Sequence, residues 1–264
     1  MKTNKLQKSI LLIILSLILG GISHAQTLEE ILNKHYKTVG LEFLNTVTTI
    51  QYKGTKVNHF LKKNSSKVEE GLLNTKFNLT IEKQNGYLLQ EFNAYGERNT
   101  GYYDGQYWYK NPGSLPEKWP PIFLDRLIIQ LALDIEGFFY NRENKGFQVS
   151  KLDDVKLKGK QHYMLMLSTP EEDTLFYYIN AKTNLITKLS FKGALSDSKE
   201  YPSYTFSNYK NIDEIYFPFK WILRSEMLDG SYGNRETIIK EITLNPKVDK
   251  RIFDLNHRIN NAKN

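Results

Sequence analysis

The chain has 264 residues, a formal net charge of +7, 13% aromatic residues and no cysteine. Without cysteine there is neither a disulfide framework nor a lipid anchor on a thiol, so the fold has to stand on its hydrophobic core. The positive excess is spread over many lysines and acids and makes no basic stripe, which excludes the electrostatic footprint of a nucleic-acid partner.

Lys2, Lys5 and Lys8 form a positive n-region, Ile10 to Leu19 is an apolar run broken only by Ser16, and Ser23-His24-Ala25 offers small residues where a signal peptidase reads. This pattern predicts a signal peptide over 1–25, cleaved before Gln26, and hence export to the periplasm. A retained N-terminal anchor is the alternative. The run is shorter than the roughly 18 residues of a membrane span, and no later stretch reaches that length. A single domain is expected over 26–255, followed by a polar tail over 256–264.

Thr27-Leu28-Glu29-Glu30 reads as a capping box, and Leu28, Ile31, Leu32, Tyr36 and Val39 lay one apolar stripe along a helix that Gly40 ends. From Leu44 the period changes to two. One strand is expected to close at Lys53-Gly54 and another to run from Val57 to Leu61. Phe77, Leu79 and Ile81 mark a clearer strand, Gln84-Asn85-Gly86 a tight turn, and Tyr102-Tyr103-Asp104-Gly105-Gln106-Tyr107-Trp108-Tyr109 a hairpin whose Asp-Gly pair tolerates positive φ.

The segment Pro112 to Gly146 interrupts the strands. Its prolines exclude a central strand, whereas Phe123, Leu124, Leu127, Ile128 and Leu131 carry helical spacing. The aromatic stretch Ile135 to Tyr140 has no clear period. Strands resume at Phe147, and Val155 to Phe191 reads as a meander in which Tyr163 to Leu167 and Leu175 to Ile179 are apolar on both faces. Ser196 to Glu200 is a polar turn, and further strands follow from Tyr204, Ile215 and Thr237, with a turn over Asp229 to Asn234. Arg251 to Leu255 is expected to dock at a sheet edge. The class is α+β, an antiparallel sheet of about ten or eleven strands wrapping helical segments.

Chemistry is thin. His35, His59, His162 and His257 have no metal-ligand spacing between them, no Gly-x-Ser-x-Gly elbow marks a nucleophile, and no Gly-rich phosphate loop is present. His35 and His162 read as structural. Asp153-Asp154 and Glu171-Glu172-Asp173 belong to turns. Glu136, among Ile135, Phe138 and Phe139, is either an exposed loop acid or one that faces an apolar interior. No cofactor is expected. The positive signal is the excess of aromatic and aliphatic residues, enough for a core and for a second apolar lining. Such a lining would hold acyl chains at about 0.8 kcal/mol per buried methylene.

The post-signal helix TLEEILNKHYKTVG, the hairpin YYDGQYWY, the block VKLKGKQHYMLMLSTPEEDTLFYYINAKTNLITKL and the closing NYKNIDEIYFPFK together resemble the LolA/LolB-like superfamily, in particular its exported outer-membrane lipoprotein-sorting-like members of the Bacteroidetes. The resemblance runs from about Thr27 to Phe253. It implies a half-open antiparallel β-barrel with lid helices, here Leu28 to Val39 and material from Phe123 to Tyr140. It further implies a non-catalytic carrier or binding protein for a lipid, a lipoprotein acyl chain or a similar apolar ligand, with a membrane-associated donor or acceptor as partner and a monomeric state. The gating arginine of the family matches no single position, although Arg98 and Arg126 are available. Expected lining residues are Phe77, Leu79, Tyr107, Tyr109, Leu165, Leu167, Tyr177 and Ile179 from strands, with Phe123, Leu127 and Phe138 from the lid. The alternation leaves open which strand face is the inner one. Two further readings stand beside the carrier: an interaction domain with a filled core, and a lipid-directed hydrolase.

Overall fold

A computed structural model describes residues 26–61, 68–70, 74–121, 123–192, 201–226 and 232–263. The expected signal peptide, the turn at Ser196 to Glu200 and the start of the turn at Asp229 lie outside the described residues.

Helix α1 (Leu28–Val39) begins at the expected capping box. The Thr27 hydroxyl accepts from the Glu30 amide at 3.2 Å, and the Glu30 carboxylate accepts from the Thr27 amide at 3.0 Å. Gly40 ends the helix at φ +78° and opens the short α2 (Leu41–Leu44). A methyl group on Gly40 would lie 2.1 Å from the Glu214 carbonyl oxygen, so both its dihedral and its close approach to the sheet require glycine.

The strands are β1 (Thr49–Leu61), β2 (Val68–Glu70), β3 (Thr75–Glu82), β4 (Gly86–Asn93), β5 (Gly96–Tyr103), β6 (Gln106–Lys110) and β7 (Glu117–Lys118). Helix α3 (Phe123–Leu133) follows. After it come β8 (Gln148–Lys151), β9 (Val155–Leu157), β10 (Lys160–Ser168), β11 (Thr174–Asn180), β12 (Ile186–Lys192), β13 (Ser203–Ile212), β14 (Ile215–Glu226) and β15 (Tyr232–Leu244). A 3₁₀ turn at Lys250–Ile252 leads into α4 (Leu255–Lys263).

The fifteen described strands form one antiparallel sheet, ordered β7-β6-β5-β4-β3-β1-β15-β14-β13-β12-β11-β10-β8, with β2 beside β1 and β9 beside β10. The count corrects the expected ten or eleven. The additional pieces β2, β7 and β9 have only two or three residues, too few to display a period of two. Conversely, the two strands expected around Gly54 are one. Strand β1 runs through a bulge there, where Lys53 pairs with Glu241 and Gly54 with Ile239. The sheet does not close among the described residues, since β7 and β8 are its two ends.

Strand β1 joins the halves of the sheet. It pairs with β3 of the first meander and with β15 of the second. Three side-chain clusters result. On the helix-bearing face, Phe77, Leu79, Tyr87, Phe217 and Ile239 pack with Leu41 of α2 and Ile129 of α3. On the same face, Leu165, Leu167, Tyr177, Ile179, Leu189 and Phe191 pack with Ile31 and Leu32 of α1 and Leu127 of α3. The two clusters share a face because β14 contributes Phe217 and Phe219 to one and Leu223 to the other at even spacing. The third lies on the opposite, outer face, where Leu88 and Trp108 pack against Phe253 and Leu255. The segment expected at a sheet edge therefore docks on the outer face of β4 to β6. The polar tail takes helical form as α4, and the Arg258 guanidinium sits 5.7 Å from the Trp108 ring centre.

Candidate functional site

The helix-bearing face places most of the expected lining residues together. Phe77 and Leu79 of β3 are buried, and Tyr107 of β6 packs half-buried on the same cluster. Tyr109 lies edge-on to Trp119 at 6.4 Å, and Trp119 packs on the same cluster. Leu165 and Leu167 of β10 and Tyr177 and Ile179 of β11 are buried in the second cluster with Leu127 and Phe138. Phe123 opens α3, and its side chain lies outside the described set.

Helix α3 lies between the two clusters. Leu127 faces one, while Ile129 and Leu133 face the other. Its sequence FLDRLIIQLAL is apolar nearly all round, as a helix packed on two sides must be. Ile129 and Leu133 fall outside the expected stripe, and this all-round apolarity was the signal for them. Phe139, also absent from the expected set, packs its ring on Tyr177 with centroids 4.3 Å apart, while Phe138 meets Phe147 at 5.0 Å. The stretch from Ile135 to Tyr140 lacks a period because it follows turns, with Gly137 at φ +83°, and no regular element.

The cover formed by α3 and the following turns is tied down by ion pairs. Arg126 of α3 reaches Asp173 in the turn between β10 and β11 at 3.2 Å. Glu136 pairs with Lys83 of the β3–β4 turn, so it is a paired acid rather than a free loop carboxylate. Lys145 braces the segment internally on Asp134 at 2.6 Å, and Arg142 ties it to Glu29 of α1 at 2.5 Å.

Polar groups mark two places on this face. Lys56 of β1 sits 5.1 Å from the Phe77 ring centre and 2.9 Å from the Glu91 carboxylate. Burial lowers the Lys56 ammonium from its ordinary range, with Glu91 opposing. Burial acts to raise the Glu91 carboxyl, but Lys56, Arg235 and Arg98 outweigh it and hold it below its usual value. Asp125 at the start of α3 is raised by burial, against Arg235 and Arg98. Deeper in, the Tyr177 hydroxyl is buried with no hydrogen-bond partner among the described residues, and burial pushes its pKa upward. An orphan hydroxyl costs about 1–3 kcal/mol of desolvation.

The histidines make backbone contacts. His35 Nδ1 lies 2.8 Å from the Asn184 carbonyl and His162 Nδ1 2.8 Å from that of Lys160. Among the described residues no group of three or more His, Asp or Glu side chains is placed to hold a metal ion. No described helix is long and apolar enough to cross a membrane.

Three solved structures share this arrangement. A LolA superfamily protein from Nitrosomonas europaea superposes with a TM-score of 0.56 at 14% identity, over 87% of this chain and 98% of its own. The chain has the LolA superfamily fold. A DUF1329 family protein from Desulfovibrio piger also gives a TM-score of 0.56, at 12% identity over 86% of this chain and 98% of its own. A domain from Vibrio parahaemolyticus assigned to outer-membrane lipoprotein sorting gives 0.52 at 11% identity, again over 86% and 98%. No family model and no curated protein matches the sequence. The likeness to these structures thus lies in the course of the backbone.

Proposed function

We propose that this protein is an exported, non-catalytic binding protein or carrier that holds a lipid, a lipoprotein acyl chain or a similar apolar ligand. On this reading the open sheet works as a half-open barrel, α1 and α3 are its lid, and the ligand lies between them. The observation that carries the reading is the construction of the cover. Helix α3 presents apolar side chains to both clusters, and the charged ties of the cover to the sheet are ion pairs, Arg126 of α3 with Asp173 and Glu136 of the following turns with Lys83. Such a cover can lift as a unit and leave an apolar lining behind it. Phe77, Leu79, Tyr107, Tyr109, Leu165, Leu167, Tyr177 and Ile179 would then face the ligand from the sheet, and Phe123, Leu127 and Phe138 from the lid.

Each methylene that replaces water there contributes about 0.8 kcal/mol, so an acyl chain can compensate for the separated side chains. Transfer follows when a membrane-associated acceptor offers competing apolar surface. The signal-peptide pattern read over 1–25 and the LolA-like fold both support a periplasmic place of work, and on this reading the protein works there as a monomer.

One observation favours a second reading. Leu165, Leu167 and Leu175 are 0% exposed and fully packed, as in an interaction domain with a filled core. Native mass spectrometry with lipid extraction, followed by titration with a fluorescent fatty acid, separates the two. Co-purifying acyl species displaced by the probe support the carrier. A correctly folded protein that carries nothing and ignores the probe sinks it in favour of the interaction domain.

A further inference from the structure

The inner, helix-bearing face of β1, β15, β4 and β5 is apolar over most of its length and polar at one end. Strand alternation makes the change on all four strands. On β1 the inward residues are Ile50, Tyr52 and Gly54, then Lys56 and Asn58; on β15 Ile239 is followed inward by Thr237 and Arg235. On β4 Tyr87 and Leu89 give way to Glu91, and on β5 Tyr102 gives way to Thr100 and Arg98. The register gathers the polar positions. Lys56 stands opposite Thr237, Asn58 opposite Arg235, and Glu91 opposite Phe77 on one side and Arg98 on the other.

The polar end is organised by its own contacts. The side chains of Lys56 and Glu91 are 12% and 18% exposed and meet at 2.9 Å, with the Lys56 ammonium 5.1 Å from the Phe77 ring centre. Arg235 donates through Nε to the Asn58 side-chain oxygen at 3.1 Å. Arg98 and Arg235 act electrostatically on Lys56, on Glu91 and on Asp125 in the first turn of α3, so the five charged groups form one cluster at the start of the cover. Both arginines are exposed, and among the described residues neither guanidinium forms an ion pair with a carboxylate. Lys56 is matched by Glu91, which leaves two guanidiniums against Asp125, and burial pushes the Asp125 carboxyl toward its neutral form. Positive charge is therefore in excess where the apolar lining ends.

We propose that this cluster binds the anionic head, a carboxylate or a phosphate, of an amphiphile whose chain occupies the apolar interior. The inference rests on the carrier reading and narrows its ligand to anionic amphiphiles. An ionised head cannot follow its chain into the lining, because an unpaired buried charge is costly. At the boundary it keeps water on one side and meets the planar donor forks of Arg98 and Arg235 on the other, which hold it by charge-assisted hydrogen bonds. The head is either the carboxylate of a free fatty acid or the phosphate of a phospholipid.

The test is fluorescence titration of the protein, expressed from its full reading frame, with dansyl-undecanoic acid and with its methyl ester, at a pH where the acid is ionised. The two probes share a chain and differ only in the charge of the head. The expected result is that the acid binds about tenfold more tightly than the ester, and that added salt reduces this advantage. In the double variant Arg98→Ala, Arg235→Ala the advantage should vanish while the ester binds as before. Unchanged ester binding also shows that the variant has kept its fold and its interior. Competition by dodecanoate and by dodecyl phosphate then distinguishes the sources, the stronger competitor naming a carboxylate or a phosphate head. Equal binding of acid and ester by the wild type, or an acid advantage that survives in the double variant, overturns the head-group site and leaves the carrier reading standing. Failure of both probes to bind the folded protein overturns the carrier reading and the head-group site with it.

Discussion

Trp108 lies flat across Gly101, its direct partner in the β5–β6 register, so closely that a methyl group on Gly101 would fall 2.1 Å from the indole. The indole Nε1 donates to the Phe253 carbonyl at 2.7 Å, and Phe253 in turn covers Gly86. Two glycines thus flatten the outer face so that two rings can seat the C-terminal segment. Gly101→Ala is expected to destabilise the protein by about 1–3 kcal/mol through overpacking. Trp108→Ala should cost about 3–5 kcal/mol, which guanidinium unfolding midpoints would measure. Equal stability of Gly101→Ala and wild type would mean that the indole can shift at no cost.

The cover should loosen when its ties are cut. Arg126→Ala combined with Lys83→Ala removes two ion pairs that join α3 and its following turns to the sheet. Both cations are partly exposed, so each pair contributes roughly 1 kcal/mol at most. The expected outcome is a small fall in melting temperature and a disproportionate rise in hydrogen exchange of the α3 amides. Faster uptake of a fatty-acid probe should accompany it. Unchanged exchange in α3 would show that apolar packing alone holds the cover.

Local signals in the sequence carried much of this fold. The Thr27 capping box, Gly40 and the Asp104-Gly105 turn, with φ of +47° and +76°, each act through neighbours in the chain, and each stands where those residues put it. What was not legible depends on partners far away in sequence. Gly54 reads as a strand end until Ile238 and Phe77 are seen pressed against it. Ile129 and Leu133 leave the apolar stripe of α3 because that helix serves two clusters, which a single-sided pattern does not anticipate. The burial of Glu136 depended on Lys83, 53 residues away.

Tyr177 offers a test of what the interior is for. Its hydroxyl is buried without a partner among the described residues, beside Phe139. Tyr177→Phe removes that unsatisfied group and keeps the ring, so the ligand-free protein should be as stable as wild type or gain up to about 2 kcal/mol. If a bound ligand supplies the missing partner, the same variant should bind it more weakly. Higher stability joined to weaker binding would place the ligand's polar end at this phenol, whereas a loss of stability would show that the hydroxyl is already satisfied.

His35 should make stability depend on pH near neutrality. Burial lowers its pKa from 6.5, and the bond to the Asn184 carbonyl opposes that shift without cancelling it. In the folded state the imidazole is therefore neutral, with Nδ1–H donating to that carbonyl at 2.8 Å. The unfolded chain takes up a proton at 6.5 that the folded chain accepts only at lower pH. Stability contributed by this residue is thus fully present above 6.5 and is lost as the pH falls, until the folded state also protonates. The slope from one such group cannot exceed about 1.4 kcal/mol per pH unit. His35→Asn keeps a donor where Nδ1 stands but cannot titrate. Unfolding free energies between pH 8 and 5 should therefore fall less steeply for the variant than for wild type, over roughly the range where the unfolded histidine titrates. Parallel curves would mean that His35 protonates as readily inside the fold as outside it.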